Sequence, residues 1–365
     1  MKTVAEYKRL DELCHLNMGQ SPDSNSYNDN GEGLPFYQGN ADFGVIHPKV
    51  RVWCNAPTKI VDEGSLLISV RAPIGALNIA NERCCIGRGL AGITSKDGVN
   101  QKYIYYCLKG KNRELNAKGT GSTFKAIAKN ALGEMLVKVV SEEEQEKIVF
   151  SLDKITTIIE SRKQQLQELD NLVKARFVEM FGDPVLNQYK WDIVTIGDVA
   201  TDVRYGTSLP ATECGRYPYL RMNNLTYDGY LDLTDMKYIN IPENEIEKCV
   251  VRKGDVLFNR TNSLELVGKT CVFDLDEDMV IAGYIIRVRL NDKILPVVLS
   301  NYMNTKVLKE QLRSMAKGAV NQANINAQEL RSISIYLPPI ELQNQFSDFV
   351  QQIDKSKVVE LEIAS

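Results

Sequence analysis

Histidine is almost absent from this chain. His15 and His47 are the only two in 365 residues, so a His/Cys metal site lacks ligands and no metal-binding residues are expected. The eight cysteines form no C-x-x-C, two of them (Cys84 and Cys85) are adjacent, and the rest lie scattered in apolar surroundings. Buried reduced thiols in a cytoplasmic protein are expected, not a disulfide framework. No apolar run approaches the length of a membrane span, and Met1-Lys-Thr-Val-Ala-Glu lacks the apolar core of a signal peptide, so no membrane contact is expected. There is no G-x-x-x-x-G-K-[ST] loop, and Leu337-Pro-Pro-Ile lacks the polar head of the Asn/Asp-Pro-Pro-aromatic signature of amino-methyltransferases. Gly-Thr-Gly-Ser at 119–122 opens no evident dinucleotide-binding unit. With no clustered carboxylates either, no catalytic residue is identified. A net charge of −3 argues against a protein that coats nucleic acid indiscriminately, while leaving room for a localised basic footprint.

What the chain does have is a long periodic stretch, Ser141 to Asp183. Ile148, Leu152, Ile155, Ile159, Leu166, Leu169 and Val173 recur at steps of four and three, a heptad seam broken once where Arg162 falls on it. Ser141 and Glu144 have the spacing of a capping box, and Gly182 followed by Pro184 is a stop signal. About 40 residues at 1.5 Å each give a rod of roughly 60 Å. So long a helix with a single apolar stripe needs a partner.

On either side of the rod the same order of features occurs. Leu34-Pro-Phe-Tyr-Gln-Gly-Asn matches Tyr217-Pro-Tyr-Leu-Arg-Met-Asn-Asn, and Ile60 to Ala72 matches Val250 to Asn262. Lys118-Gly-Thr-Gly-Ser-Thr matches Lys317-Gly-Ala-Val-Asn-Gln. Paired landmarks are offset by 187 (Gly19 to Gly206), 190 (Gly64 to Gly254), 199 (Gly119 to Gly318) and 198 (Gln145 to Gln343) residues. After Leu337 a second helix opens, and Phe346, Val350 and Ile353 take the seam positions of Ile148, Leu152 and Ile155. The expected division is 1–140, a first globe; 141–183, the rod; 184–338, a second globe; and 339–365, a second, shorter helix. The fold class is α+β: two similar mixed α/β globes separated by long helices that form an antiparallel coiled coil and act as a spacer.

These residues resemble the specificity subunit of type I restriction-modification systems. The resemblance runs over nearly the whole chain and rests on Leu67-Ile-Ser-Val-Arg-Ala-Pro-Ile-Gly, Cys85-Ile-Gly-Arg-Gly-Leu-Ala, Arg176-Phe-Val-Glu-Met-Phe-Gly-Asp-Pro, Gly254-Asp-Val-Leu-Phe-Asn-Arg-Thr-Asn-Ser and Leu337-Pro-Pro-Ile-Glu-Leu-Gln. It implies two target-recognition domains, each reading half of a split site in double-stranded DNA. The helices would carry two modification (methyltransferase) subunits, and restriction (translocase/nuclease) subunits would join the full complex. S-adenosylmethionine, ATP and Mg would belong to those partners, with no cofactor bound by this chain. The family's second helix is long, whereas about 25 residues remain here. That leaves a trimmed chain, a naturally shortened one, or a coiled coil completed by another chain.

Two kinds of residue would meet DNA. Between Lys109 and Lys129 lie Lys109, Lys111, Arg113, Lys118, Lys125 and Lys129 against Glu114 alone. The backbone N–H groups of Gly119 to Ser122 and the hydroxyls of Thr120, Ser122 and Thr123 suit phosphate oxygens. The second globe repeats this more weakly with Lys306, Lys309, Arg313 and Lys317 against Glu310, followed by Asn321, Gln322 and Asn324. Phosphate contacts add affinity and salt dependence but select no base. Selection calls for paired donors and acceptors, Arg for guanine and Asn or Gln for adenine. The candidates are Gln38, Asn40, Arg71 and Arg88 in the first globe, and Arg221, Asn223, Asn224, Arg260 and Asn262 in the second. Arg71 and Arg260 follow a buried strand at matching repeat positions, which makes a shared salt-bridge role nearly as natural as base contact. Two other functions fit the globe–helix–globe–helix order: recognition for a different DNA-modifying effector, and a scaffold holding two protein partners without DNA. Paired basic loops favour DNA over the scaffold.

Overall fold

The computed structural model describes residues 6–121, 125–319 and 322–364, with the side chains of 317–319, 322 and 358–364 not described. The chain divides into two compact units, residues 1–160 and 161–365. That boundary falls inside the rod and not at its ends, because each end of the long helix is packed into a different core.

In the first unit a four-stranded antiparallel sheet runs in the order Cys14–Met18, Leu90–Ser95, Leu66–Ser69, Leu77–Ile79. Its third strand is buried throughout, Leu66 to Ser69, because both faces are covered. Leu66 and Ile68 pack with the helix Gln101–Gly110, while Leu67 packs on the other side with Tyr37 and Ile86. That second layer is built around a parallel pair, Leu34–Tyr37 beside Cys84–Ile86. The second unit repeats the plan. Ala200–Tyr205, Ile285–Leu290, Val256–Asn259 and Thr270–Val272 form the antiparallel sheet, and Tyr217–Leu220 lies parallel to Met279–Ile281. One pair of landmark glycines, Gly19 and Gly206, sits at a close backbone approach. A Cβ on Gly19 would come within 2.1 Å of the Gly87 carbonyl oxygen, and one on Gly206 within 2.1 Å of that of Ile281.

Landmark glutamines explain why each long helix starts where it does. Gln145 is buried, its Oε1 accepting from Asn100 N at 2.8 Å and its Nε2 donating to the carbonyls of Gly98 and Val140. Gln343 makes the same clamp, accepting from Leu295 N at 2.8 Å and donating to the carbonyls of Lys293 and Pro338. Each glutamine thus ties the first turn of a long helix to the loop leading into a core helix of its own unit.

The first long helix spans Glu142–Phe181 and the second Ile340–Ala364. Ser141 Oγ accepts from Glu144 N at 3.3 Å, one half of the expected capping box, and Gly182 closes the helix at φ +87°. Within the second unit the two helices run antiparallel: the Phe177 and Phe346 rings meet at 5.5 Å, and Lys357 pairs with Asp170 at 2.7 Å. Val173 and Phe346 are buried there, with Val350 and Ile353 packed against the same core. Leu152, Leu166 and Leu169 are half-buried. The seam does not continue as expected through Ile155 and Ile159, which are 51% and 47% exposed. At its start the first helix packs instead on its own globe, through Ile148, Val149 and the pairing of Asp153 with Lys102 at 2.8 Å.

All eight cysteines are free. Six are buried as expected, Cys107 is half-buried, and Cys214 is exposed, standing on the polar stretch between Pro210 and Tyr217 where no apolar cover exists. No group of three or more metal-ligating side chains occurs among the described residues, and no described helix is long and apolar enough to cross a membrane.

Candidate nucleic-acid interface

Each unit carries a cleft at the same place in its fold, walled by the turn after the first parallel strand, the end of the buried strand, and the loop after the second parallel strand. In the first unit this cleft has a volume of about 200 Å³ and gathers Gln38, Asn40, Arg71 and Arg88, all four selected from the sequence. In the second it has a volume of about 760 Å³ and includes Arg221, Asn223, Arg260 and Asn324.

The basic glycine-containing segments are hairpins fastened beside these clefts. In the first unit Thr120 and Ala126 exchange N–H···O bonds at 2.9 Å, Ala72 N donates to the Lys125 carbonyl at 3.2 Å, and Ala126 bridges to Arg71. Lys118 and Lys125 have no ion-pair partner among the described residues. Gly119 and Thr120 lie on the ascending arm; Ser122 lies outside the described residues. In the second unit Lys317–Ala319 pairs with Gln322–Asn324, which pairs in turn with Thr261–Asn262. Asn321 lies outside the described residues, as do the side chains of Lys317 and Gln322.

Hydrogen bonds revise the reading of Arg71 and Arg260, of Asn224 and of Asn262. Val70 N donates to the Gly89 carbonyl and Ile127 N to the Val70 carbonyl, both at 2.9 Å; in the second unit Arg260 N donates to Tyr284 and Ile325 N to Arg260, again at 2.9 Å. Arg260 therefore stands in the place of Val70, and Arg71 in the place of Thr261. A shift of one residue sends side chains to opposite faces, so Arg71 and Arg260 have no shared structural role. Secondly, Asn224 holds the place of Asp42, the third residue of the turn after the first parallel strand. Asp42 Oδ2 accepts from Gln38 N at 2.7 Å and Gly39 N at 3.2 Å. Asn224, 1% exposed, accepts from Arg221 N at 2.9 Å and donates to the Asp232 carbonyl at 2.8 Å. Asn224 is a turn anchor without access to a ligand. Thirdly, Asn262 spends its amide within its own turn, donating to Asn259 Oδ1 and accepting from Ser263 N, each at 2.9 Å.

Electrostatics separates the remaining cations. Arg221 is clamped: its Nη2 donates to the Asp235 carbonyl at 2.8 Å and to its carboxylate at 2.9 Å, and this guanidinium holds the Asp235 carboxyl below its usual range. Asn223 donates to the same carboxylate at 3.3 Å. Arg71 and Arg88 are exposed, with no side-chain hydrogen bond or ion pair among the described residues. Lys309, counted as a phosphate contact in the basic run, is instead 3% exposed and donates to the Gly268 carbonyl at 2.7 Å. Burial pulls its ammonium down to about 7, and nearby Lys269 adds to the effect. Arg313 is held by the Tyr227 hydroxyl at 2.9 Å. The amphipathic helix Lys306–Met315 turns Lys309 inward with Leu308 and Leu312, which composition alone could not reveal. Sequence reasoning also missed Tyr205, although it directly precedes the landmark Gly206. Its ring lies 4.8 Å beneath the Arg260 guanidinium, and its hydroxyl accepts from Ala327 N at 2.7 Å.

Two stretches, residues 3–171 and 188–363, match the type I restriction modification DNA specificity domain. The chain belongs to that family. It is 43% identical over 158 residues to a type I restriction enzyme specificity subunit of Methanocaldococcus jannaschii designated MjaX, covering 43% of this chain and 37% of that one. It is 29% identical over 198 residues to the MjaIX specificity subunit of the same organism, covering 48% and 46% of the two chains. The chain thus matches less than half the length of either curated relative. The crystal structure of a type I restriction-modification system S subunit from M. genitalium aligns over 100% of this chain and 93% of that one, with a TM-score of 0.55 and 16% identity, a likeness of fold. In family terms the two units are two specificity domains, and the equivalent clefts are equivalent surfaces on a duplicated fold.

Proposed function

We propose that this chain is the non-catalytic DNA-recognition subunit of a cytoplasmic type I restriction-modification complex. Its two units would each read one half of a bipartite, asymmetric site in double-stranded DNA, separated by a spacer that neither reads. The observation that carries this is the recurrence, in both units, of one cleft that holds arginine and is flanked by a hairpin bearing lysine. Arg71 and Arg88 have unpaired forks that fit base edges, and Lys118 and Lys125 supply charge without sequence preference. The arginines stand at non-equivalent positions in the two clefts, which favours two different half-sites over a palindrome. Methyl transfer and ATP-dependent cleavage would be supplied by two modification subunits and by restriction subunits, with S-adenosylmethionine, ATP and Mg bound there. The long helices, with Ile155 and Ile159 exposed, are the surfaces offered to those partners.

The test is methylation mapping of DNA from cells expressing this chain with its cognate modification subunit. A second version would carry residues 184–338 from another family member. A split motif whose second half alone changes with the swap supports two independent readers. A motif unchanged by the swap, or no methylation from a soluble complex, refutes the proposal and favours a scaffold.

A further inference from the structure

Arg260 occupies a position where the first unit keeps a valine buried to 3% exposure. An arginine is not needed there to fill the core. Its backbone is fixed on both sides, N–H to the Tyr284 carbonyl and C=O to Ile325 N, each at 2.9 Å. The guanidinium carbon lies over the Tyr205 ring, 4.8 Å from its centre, and the Tyr205 hydroxyl is itself held by Ala327 N. No carboxylate pairs with Arg260 among the described residues, and its buried Nε has no hydrogen-bond partner. Arg221, which lines the same cleft, is occupied by Asp235. A planar fork that lies over an aromatic ring, is fixed at its root and pairs with no carboxylate is organised for a ligand presenting two acceptors in one plane. On duplex DNA that ligand is guanine, whose N7 and O6 face the major groove side by side. Thr261 Oγ1 donates to Asn324 Oδ1 at 3.5 Å, and both residues line the same cleft, where they add polar groups but no competing cation.

We propose that Arg260 is the specificity-determining residue for one guanine in the half-site met by the second unit, with Tyr205 as the platform that orients it. This rests on the DNA-reading role proposed above. Phosphate is the competing acceptor, and the two are distinguished by selectivity: a guanine contact confines its effect to one base pair, whereas a phosphate contact affects all sequences alike.

The experiment compares wild type, Arg260→Gln, Arg260→Lys and Tyr205→Leu in the complete complex, by methylation mapping and by duplex binding with each base pair of the second half-site varied in turn. Wild type is expected to require one G·C pair there. All three variants should relax that same pair, with discrimination falling by roughly 5- to 150-fold for Arg260→Gln and the first half-site unchanged. Arg260→Lys keeps the charge and stem, and Tyr205→Leu leaves Arg260 in place, so a folding defect in one variant does not decide the matter. Uniform weakening at every base pair with a flatter salt dependence overturns the assignment in favour of phosphate. A wild-type second half-site without a G·C pair overturns it as well. If wild type yields no split motif at all, the DNA-reading role itself has failed.

Discussion

Replacing Lys309 by methionine is expected to stabilise the protein, most strongly below pH 7. The ammonium is 3% exposed, lies 5.0 Å from the Tyr227 ring centre and donates to the Gly268 carbonyl at 2.7 Å. Burial is the main cause lowering its pKa from 10.5 to about 7, and Lys269 and Arg313 lower it further, against weaker opposing effects of Asp228 and Cys271. The folded state therefore holds this proton less tightly than the unfolded chain. Between about pH 7 and pH 10.5 the unfolded chain binds a proton that the folded chain has released, so stability rises with pH across that window. Below about pH 7 both states are charged, and the folded state carries the full penalty, on the order of 5 kcal/mol. Methionine keeps the length of the stem and removes the charge. It forfeits a hydrogen bond and a cation–π contact, a loss of about 2 kcal/mol, while the Gly268 carbonyl keeps Thr270 Oγ1 at 3.1 Å. The net gain at pH 6 is about 3 kcal/mol, or roughly 6–12 °C in melting temperature for a unit of this size. Calorimetry of both proteins from pH 6 to 10 measures it. A variant less stable than wild type at pH 6, or a gain that does not shrink as pH rises, refutes the reasoning.

Three further outcomes are expected. Changing Lys118 and Lys125 together to alanine should weaken binding to all duplexes alike and flatten the slope of log affinity against log salt by about 2; loss of sequence preference at unchanged affinity would contradict their placement on phosphates. Asn224→Ala leaves Arg221 N and the Asp232 carbonyl without their partner, so stability should fall by about 2 kcal/mol with the methylation motif unchanged. Phe346 is fully buried, with ring centres 5.5 and 5.3 Å from Phe177 and Phe181. Phe346→Ala should therefore cost about 3–5 kcal/mol in denaturant unfolding and open the second long helix to limited proteolysis.

The repeat, the two long helices, the antiparallel run of their seams and the family were all legible in the residues. They rest on features that survive local change: a 3.5-residue period, glycines at close backbone approaches, and Gln145 and Gln343 clamping the same loop in each unit. The four clustered candidates of the first cleft were legible too, because the strand ends and turns that carry them are short and marked by Gly and Pro. What the sequence could not decide was what each strand-end arginine does. The ungapped match of Ile60–Ala72 with Val250–Asn262 sets Arg260 opposite Val70, and the pairing of Arg260 with Tyr284 and Ile325 agrees with it. Nor could composition separate charges in water from charges in the core: Lys309 and Lys125 look alike in a basic run, yet one is buried beneath Tyr227 and the other lies exposed beside a cleft. The sequence by itself determined which elements form and in what order, since periodicity and turn chemistry are local. The tertiary structure alone decided which polar groups are already satisfied, because hydrogen-bond partners such as Asp235 for Arg221 come from distant segments, and only the groups left over are available to a ligand.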